Sequence, residues 1–171
     1  MAYWKRLIAG GVDVDLAHLE PFEFDLQPNG WTRLATVRVA FNNHCFSEAF
    51  DAERHREVLP STHVPSRERR AFDAVRYELS KLLPGFVREL DGRRIAQTRK
   101  GPLVRITLAD GGNYGIFFTL RKSGHASCEM FVISAYPLGR PRAEIASTGE
   151  MKFNVAMALV LKGSTPKFPP R

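Results

Sequence analysis

The chain has 171 residues, 44% of them apolar, and a formal net charge of +7. That is enough apolar content for one core, and no apolar run approaches the ~20 residues of a membrane-spanning helix. Neither secretion nor membrane insertion is expected, and two cysteines, Cys45 and Cys128, make neither a disulfide framework nor a paired zinc motif, so a cytoplasmic protein is expected.

Taken in chain order, the first clear elements are two β-like segments, 22–26 and 34–41, joined through the turn formers Pro28, Asn29 and Gly30. In the second, Val37, Val39 and Phe41 alternate with Arg38 and Ala40, which gives one apolar and one wettable face. An N-terminal β-hairpin follows from this. Between about 47 and 65 the pattern dissolves into Asp, Glu, Arg and His, and an irregular connection is expected there.

Ser66 is a candidate N-cap, and Phe72, Val75, Leu79, Leu82, Leu83 and Phe86 follow at helical offsets. One long helix over 66–86 is predicted, ended or bent at Pro84-Gly85. Five β-like segments come next, at 94–99, 103–109, 113–121, 128–136 and 151–162. Lys100-Gly101-Pro102, Asp110-Gly111-Gly112 and Lys122-Ser123-Gly124-His125 supply the turns. An extended tail is expected from about 163 to 171, where Pro166, Pro169 and Pro170 lie. The expected fold class is a single α+β domain over 1–171: an N-terminal β-hairpin, one long helix, then a four- or five-stranded antiparallel β-meander.

Charge is unevenly spread along this order. Residues 1–66 hold six Lys/Arg against nine Asp/Glu, 67–105 hold eleven against five, and 121–171 hold eight against three. A basic second half favours a polyanion such as RNA as partner, because neutralised phosphates release counterions. Arg69, Arg70, Arg94, Arg99, Lys100 and Arg105 are the candidate phosphate contacts, with Tyr114 and Phe117 as aromatics for base stacking.

No phosphate-binding glycine loop, HExxH, GxSxG or dinucleotide fingerprint is present, so no metal or other cofactor is expected. Metal-free RNA cleavage needs a base, an acid and a cation at one phosphate. His125, Tyr136, Lys152 and Arg121 are the candidates for those roles. His44-Cys45 suggests a thiolate pair, but adjacent strand residues point to opposite faces, which favours a buried Cys beside a polar His.

The strings His44-Cys45-Phe46, Arg76-Tyr77-Glu78-Leu79-Ser80, Leu83-Pro84, Gly115-Ile116-Phe117-Phe118 and Ser134-Ala135-Tyr136 resemble bacterial stationary-phase growth adaptation proteins over most of the chain. The order of a helix followed by a meander that ends in Ser134-Ala135-Tyr136-Pro137 is also similar to the barnase, EndoU, colicin and RelE-like ribonuclease folds. That second resemblance implies an RNA-directed toxin-type ribonuclease, in the RelE manner of Lys, Arg and Tyr. The competing expectation is a non-catalytic module docking on nucleic acid or on an acidic protein such as an antitoxin. Pairing of the acidic front of one chain with the basic back of another would make a homo-oligomer.

Overall fold

In the computed structural model, residues 3–63, 68–139 and 145–170 are described. A short antiparallel pair, β1 (Leu7–Ala9) and β2 (Val12–Val14), comes first. β3 (Phe22–Leu26) then pairs antiparallel with β4 (Ala35–Phe41), Phe24 opposite Val37 and Phe22 opposite Val39. The period of two in β4 sorts its side chains: Val37, Val39 and Phe41 are buried, and Arg38 points to solvent.

The single long helix predicted over 66–86 is replaced by a strand and two short helices. Ser66 lies outside the described residues, and Arg70–Phe72 form β6, paired with β5 (Ser47–Ala49) inside the stretch expected to be irregular. Asp73 then caps α1 (Ala74–Ser80): its Oδ1 accepts from the N–H groups of Val75 at 2.9 Å and Arg76 at 3.1 Å. The chain breaks at Lys81-Leu82 and restarts as α2 (Leu83–Arg88), with Pro84 in the first turn, where a missing N–H leaves no hydrogen bond unmade. Splitting the helix splits its apolar stripe. Val75 and Leu82 are exposed, at 61% and 48%, whereas Leu83 and Val87 are buried.

β7 (Arg94–Thr98), β8 (Gly101–Thr107), β9 (Asn113–Lys122) and β10 (Ser127–Leu138) run as an antiparallel meander. The sheet they join is not a pure meander. β4 lies parallel to β10, from Thr36 beside Ser127 to Phe41 beside Val132, and β11 (Gly149–Lys152) flanks β7. The result is a seven-stranded mixed sheet in the order β11-β7-β8-β9-β10-β4-β3. Pairing with β4 satisfies an edge that β10 would otherwise leave open.

The predicted fifth strand, 151–162, is also corrected. After β11 the chain forms α3 (Phe153–Leu161), in which Phe153, Ala156, Met157, Val160 and Leu161 are buried at offsets of three, four, seven and eight. Alternation over this segment coexists with a helical period, and Ala, Met and Leu favour the helix.

The helices define the two faces of the sheet. Ile95, Val104, Ile116, Phe118, Met130 and Val39 share one core with Leu83 and Val87 of α2 and Phe153 and Met157 of α3. The opposite face holds the charge. Glu23, Arg38, Glu129 and Arg121 alternate in sign across four neighbouring strands, with Arg38 bonded to Glu23 and Arg121 to Glu129, both at 2.7 Å. At the far edge the tail returns, and the Pro169 carbonyl accepts from the Glu150 N–H at 3.3 Å. Among the described residues no helix is long and apolar enough to cross a membrane.

Candidate functional site

Register across the meander assembles a site on the charged face. Arg105 of β8 lies opposite Gly115 of β9, which lies opposite Tyr136 of β10; one step along, Leu103, Phe117 and Ser134 form the next row. With no side chain at Gly115, Arg105 and Tyr136 face one another over two strand spacings, about 10 Å. The Leu138 side chain lies over the gap, so that a Cβ at Gly115 would sit 2.8 Å from Leu138 Cδ2. Phe117 stacks on Tyr136 with centroids 5.5 Å apart and planes 18° from parallel.

The β7–β8 turn brings two more cations to this place. Thr98 Oγ1 donates to the Gly101 carbonyl at 2.7 Å and accepts from the Lys100 N–H at 3.2 Å, and Gly101 takes φ +106°, a conformation suited to glycine. Arg99 and Lys100 therefore project from a clamped turn. Together with Arg105, Phe117 and Tyr136 they line a cavity of about 490 Å³, which Leu138 and Ile145 wall with apolar surface. Among the described residues no carboxylate lines it.

The electrostatics are those of an anion site. Arg99 and Lys100 have no ion-pair partner among the described residues. Lys100 Nζ stands 6.0 Å from the centroids of both Phe117 and Tyr136. Arg105 is fixed by a bond from Nη2 to the Ile145 carbonyl at 3.1 Å. A further guanidinium, Arg76 of α1, lies over the Tyr136 ring at 4.9 Å and is held by the Ser47 carbonyl at 2.9 Å and by Asp73 at 3.2 Å. Two cations, Lys100 and Arg76, thus stand over one aromatic pair.

Only part of the predicted set meets here. Tyr136, Arg99, Lys100 and Arg105 converge, and the rest go elsewhere. His125 is exposed in the β9–β10 turn, where its Nδ1 accepts from Arg33 at 2.9 Å, about 30 Å along β10 from Tyr136. Arg121 is paired with Glu129 near that same end. Lys152 lies on β11, four strands from β10, about 19 Å away. The cleavage relay of His125, Tyr136, Lys152 and Arg121 is therefore not assembled, because long strands and the full width of the sheet separate its members.

The binding set needs corrections too. Tyr114 faces the core, fully buried and against Phe86, so it stacks no base; burial also raises its hydroxyl pKa. Phe117 is buried beneath Tyr136 and braces that ring. Arg70 is buried as well, donating from Nε to Ser47 Oγ at 2.7 Å and from Nη2 to the Ser47 carbonyl at 2.6 Å, and desolvation followed by Arg76 lowers its pKa. Arg69 stacks on Phe50 at 4.5 Å, and Arg94 stands 4.0 Å from Glu150. At His44-Cys45, burial pushes the thiol up to about 12 while His44 donates to Glu68 at 2.9 Å, so no thiolate pair exists. Among the described residues no group of three His, Cys, Asp or Glu could hold a metal.

Arg76, Gly115 and Leu138 were absent from the sequence-derived site. Counting from the β8–β9 turn places Gly115 opposite Arg105, but counting from the β9–β10 turn would place it opposite Ala135; a register shift between Val132 and Ser134 puts Tyr136 there instead. The Tyr114 hydroxyl is buried without a partner among the described residues, so Tyr114→Phe is expected to keep or raise stability, by up to about 1 kcal/mol. Thermal melting checks this, and a loss beyond that size would mean the hydroxyl is bonded.

The sequence model of the YjaZ family matches residues 6–161, and the chain belongs to that family. No curated protein and no solved structure matches it.

Proposed function

We propose that this member of the YjaZ family is a cytoplasmic protein that binds single-stranded RNA at the cavity between the β7–β8 turn and Tyr136, and that it acts by binding and not by cleavage. The observation that carries this reading is the convergence of Arg99 and Lys100, beside Arg105, on one concave surface that is walled by an aromatic ring and has no carboxylate among its described lining residues. Cations arranged around aromatic side chains are how strand-binding proteins hold phosphate and base together. Lys152, exposed on β11 opposite Arg94, adds a cation about 13 Å along β7 from the turn, where Arg94 itself is paired with Glu150.

Cleavage is the weaker alternative. It requires groups that take and give a proton at one phosphate, and His125 and Lys152 stand too far from Tyr136 to share one.

Titrating a labelled single-stranded RNA with the protein at two salt concentrations tests the reading. With about three phosphates neutralised, affinity is expected to fall about 20-fold between 50 and 200 mM salt. The RNA should remain intact after long incubation with EDTA. Absent or salt-independent binding would reject the proposal, and cut RNA would restore the ribonuclease reading.

A further inference from the structure

We infer that the groove between the β1–β2 hairpin and the β5–β6 pair takes an extended, acidic segment of a partner protein by strand addition. This site is separate from the cavity described above and does not depend on the RNA reading.

The first ground is unmet backbone. Gly10 and Gly11 take φ +58° and +76°, the signs of a type I′ turn, so Ala9 and Val12 exchange the closing hydrogen bonds of the hairpin. Ladder bonds alternate in an antiparallel pair, which turns the N–H and C=O of Ile8 away from β2. The same alternation holds in β5–β6. The Phe50 N–H donates to the Arg69 carbonyl at 3.0 Å and the Asp73 N–H to the Phe46 carbonyl at 3.1 Å, so Arg70 and Phe72 turn their backbone groups away from β5. The Arg70 carbonyl accepts from the Leu59 N–H at 2.8 Å. The outward groups of Ile8 and Phe72 have no such partner among the described residues.

The second ground is place. Both edges open onto one groove of about 500 Å³. Ile8 and Ala9 point to opposite faces of β1, as Ala71 and Phe72 do on β6, and all four line the groove, whereas no residue of β2 or β5 does. The groove therefore runs along strand edges and not over a sheet face. An extended segment lying in it meets backbone donors and acceptors, which is how strand addition gains its affinity.

The third ground is side-chain chemistry, which selects the occupant. Ile8 and Val58 are 52% and 41% exposed at the groove and offer apolar contact to every second residue of an extended segment. The free charge there is positive. Arg56 has no ion-pair partner among the described residues, and Arg54 shares one oxygen of Glu48 with His55, at 3.1 and 2.8 Å. Glu57, the one carboxylate among the described lining residues, accepts from the Gly10 N–H at 3.1 Å. Acidic side chains alternating with apolar ones complement this surface.

The probe is a short labelled peptide in which valine alternates with aspartate and glutamate, titrated into the full chain. Two controls carry lysine at the acidic positions, or methyl groups on alternate backbone nitrogens, which block one edge of the peptide. The acidic peptide is expected to bind about tenfold more tightly than either control and to shift the amide resonances of Ile8 and Phe72. Arg56→Glu should remove the preference for acid. Ile8→Pro should weaken binding about tenfold while β1 stays paired, since the N–H it removes points away from β2. The methylated peptide tests the same bonds without altering the protein.

No binding of the acidic peptide, equal binding of the lysine peptide, or indifference to backbone methylation would each overturn the inference. Self-association that rises with concentration and is lost in Ile8→Pro would give the groove to a second copy of this chain, and would overturn it too. None of these outcomes changes the RNA titration.

Discussion

Replacing Phe153 by alanine is expected to lower the unfolding free energy by about 3–5 kcal/mol, the range for removing a fully buried aromatic ring. Phe153 is the first residue of α3 and is completely buried. Its ring meets Phe118 edge to face, with centroids 5.9 Å apart and planes at 63°. Its N–H donates to the Arg93 carbonyl at 2.9 Å, which fixes where the helix leaves the sheet. The ring thus joins α3 to the middle of the sheet, and its loss leaves a cavity that backbone atoms on both sides cannot close. Urea titration followed by tryptophan fluorescence measures the effect. Val75→Ala, at an exposed position on α1, should change stability by no more than about 0.5 kcal/mol. A similar small loss at Phe153 would mean that α3 does not pack as described.

Reversing the charge of the β7–β8 turn, with Arg99→Glu and Lys100→Glu together, is expected to weaken RNA binding by about 100-fold at low salt and to flatten its salt dependence. Two cations are lost and two anions are placed at the mouth of a cavity that has none among its described lining residues. Both side chains are exposed, and the clamp that shapes the turn comes from Thr98, so folding should be untouched. Arg121→Glu serves as the comparison. It places half as much new charge at the other end of β9, where it breaks the bond to Glu129, and should leave affinity within about twofold. Equal losses in both variants would show that the whole face attracts RNA and that the cavity has no special part.

The difference between expectation and structure has a physical pattern. Segments set by local rules were legible: β3 with β4, and the runs that became β7 to β10, each have a period of two and a glycine- or proline-bearing turn nearby. The long helix failed at Asp73, whose carboxylate caps a helix beginning eight residues after Ser66, and at Pro84, which lies in the first turn of a second one. α3 was misread because its large apolar residues fit two periods at once. The parallel contact of β4 with β10 leaves no mark in either segment, so the mixed sheet could not be read locally.

The site followed the same division. Arg99, Lys100, Arg105 and Tyr136 were picked out by residue type, whereas the last two meet over Gly115 only because the register shifts between Val132 and Ser134, which strand parity alone does not show. Tyr114 and Tyr136 have the same side chain, and residue type alone suggests base stacking for the first and proton transfer for the second. Which one faces the helices depends on sheet-face assignment, and that is settled by α2 and α3.

The parallel seam also has a consequence for how the chain reaches its native state. Thr36 finds its neighbour Ser127 about 90 residues later, so the first hairpin must wait for most of the polypeptide to leave the ribosome. Until then the apolar side of β4, with Val37, Val39 and Phe41, has only its hairpin partner beside it in the sheet. Loop closure of this span precedes its reward, which makes refolding slow for the chain's size and exposes the early hairpin to capture by chaperones.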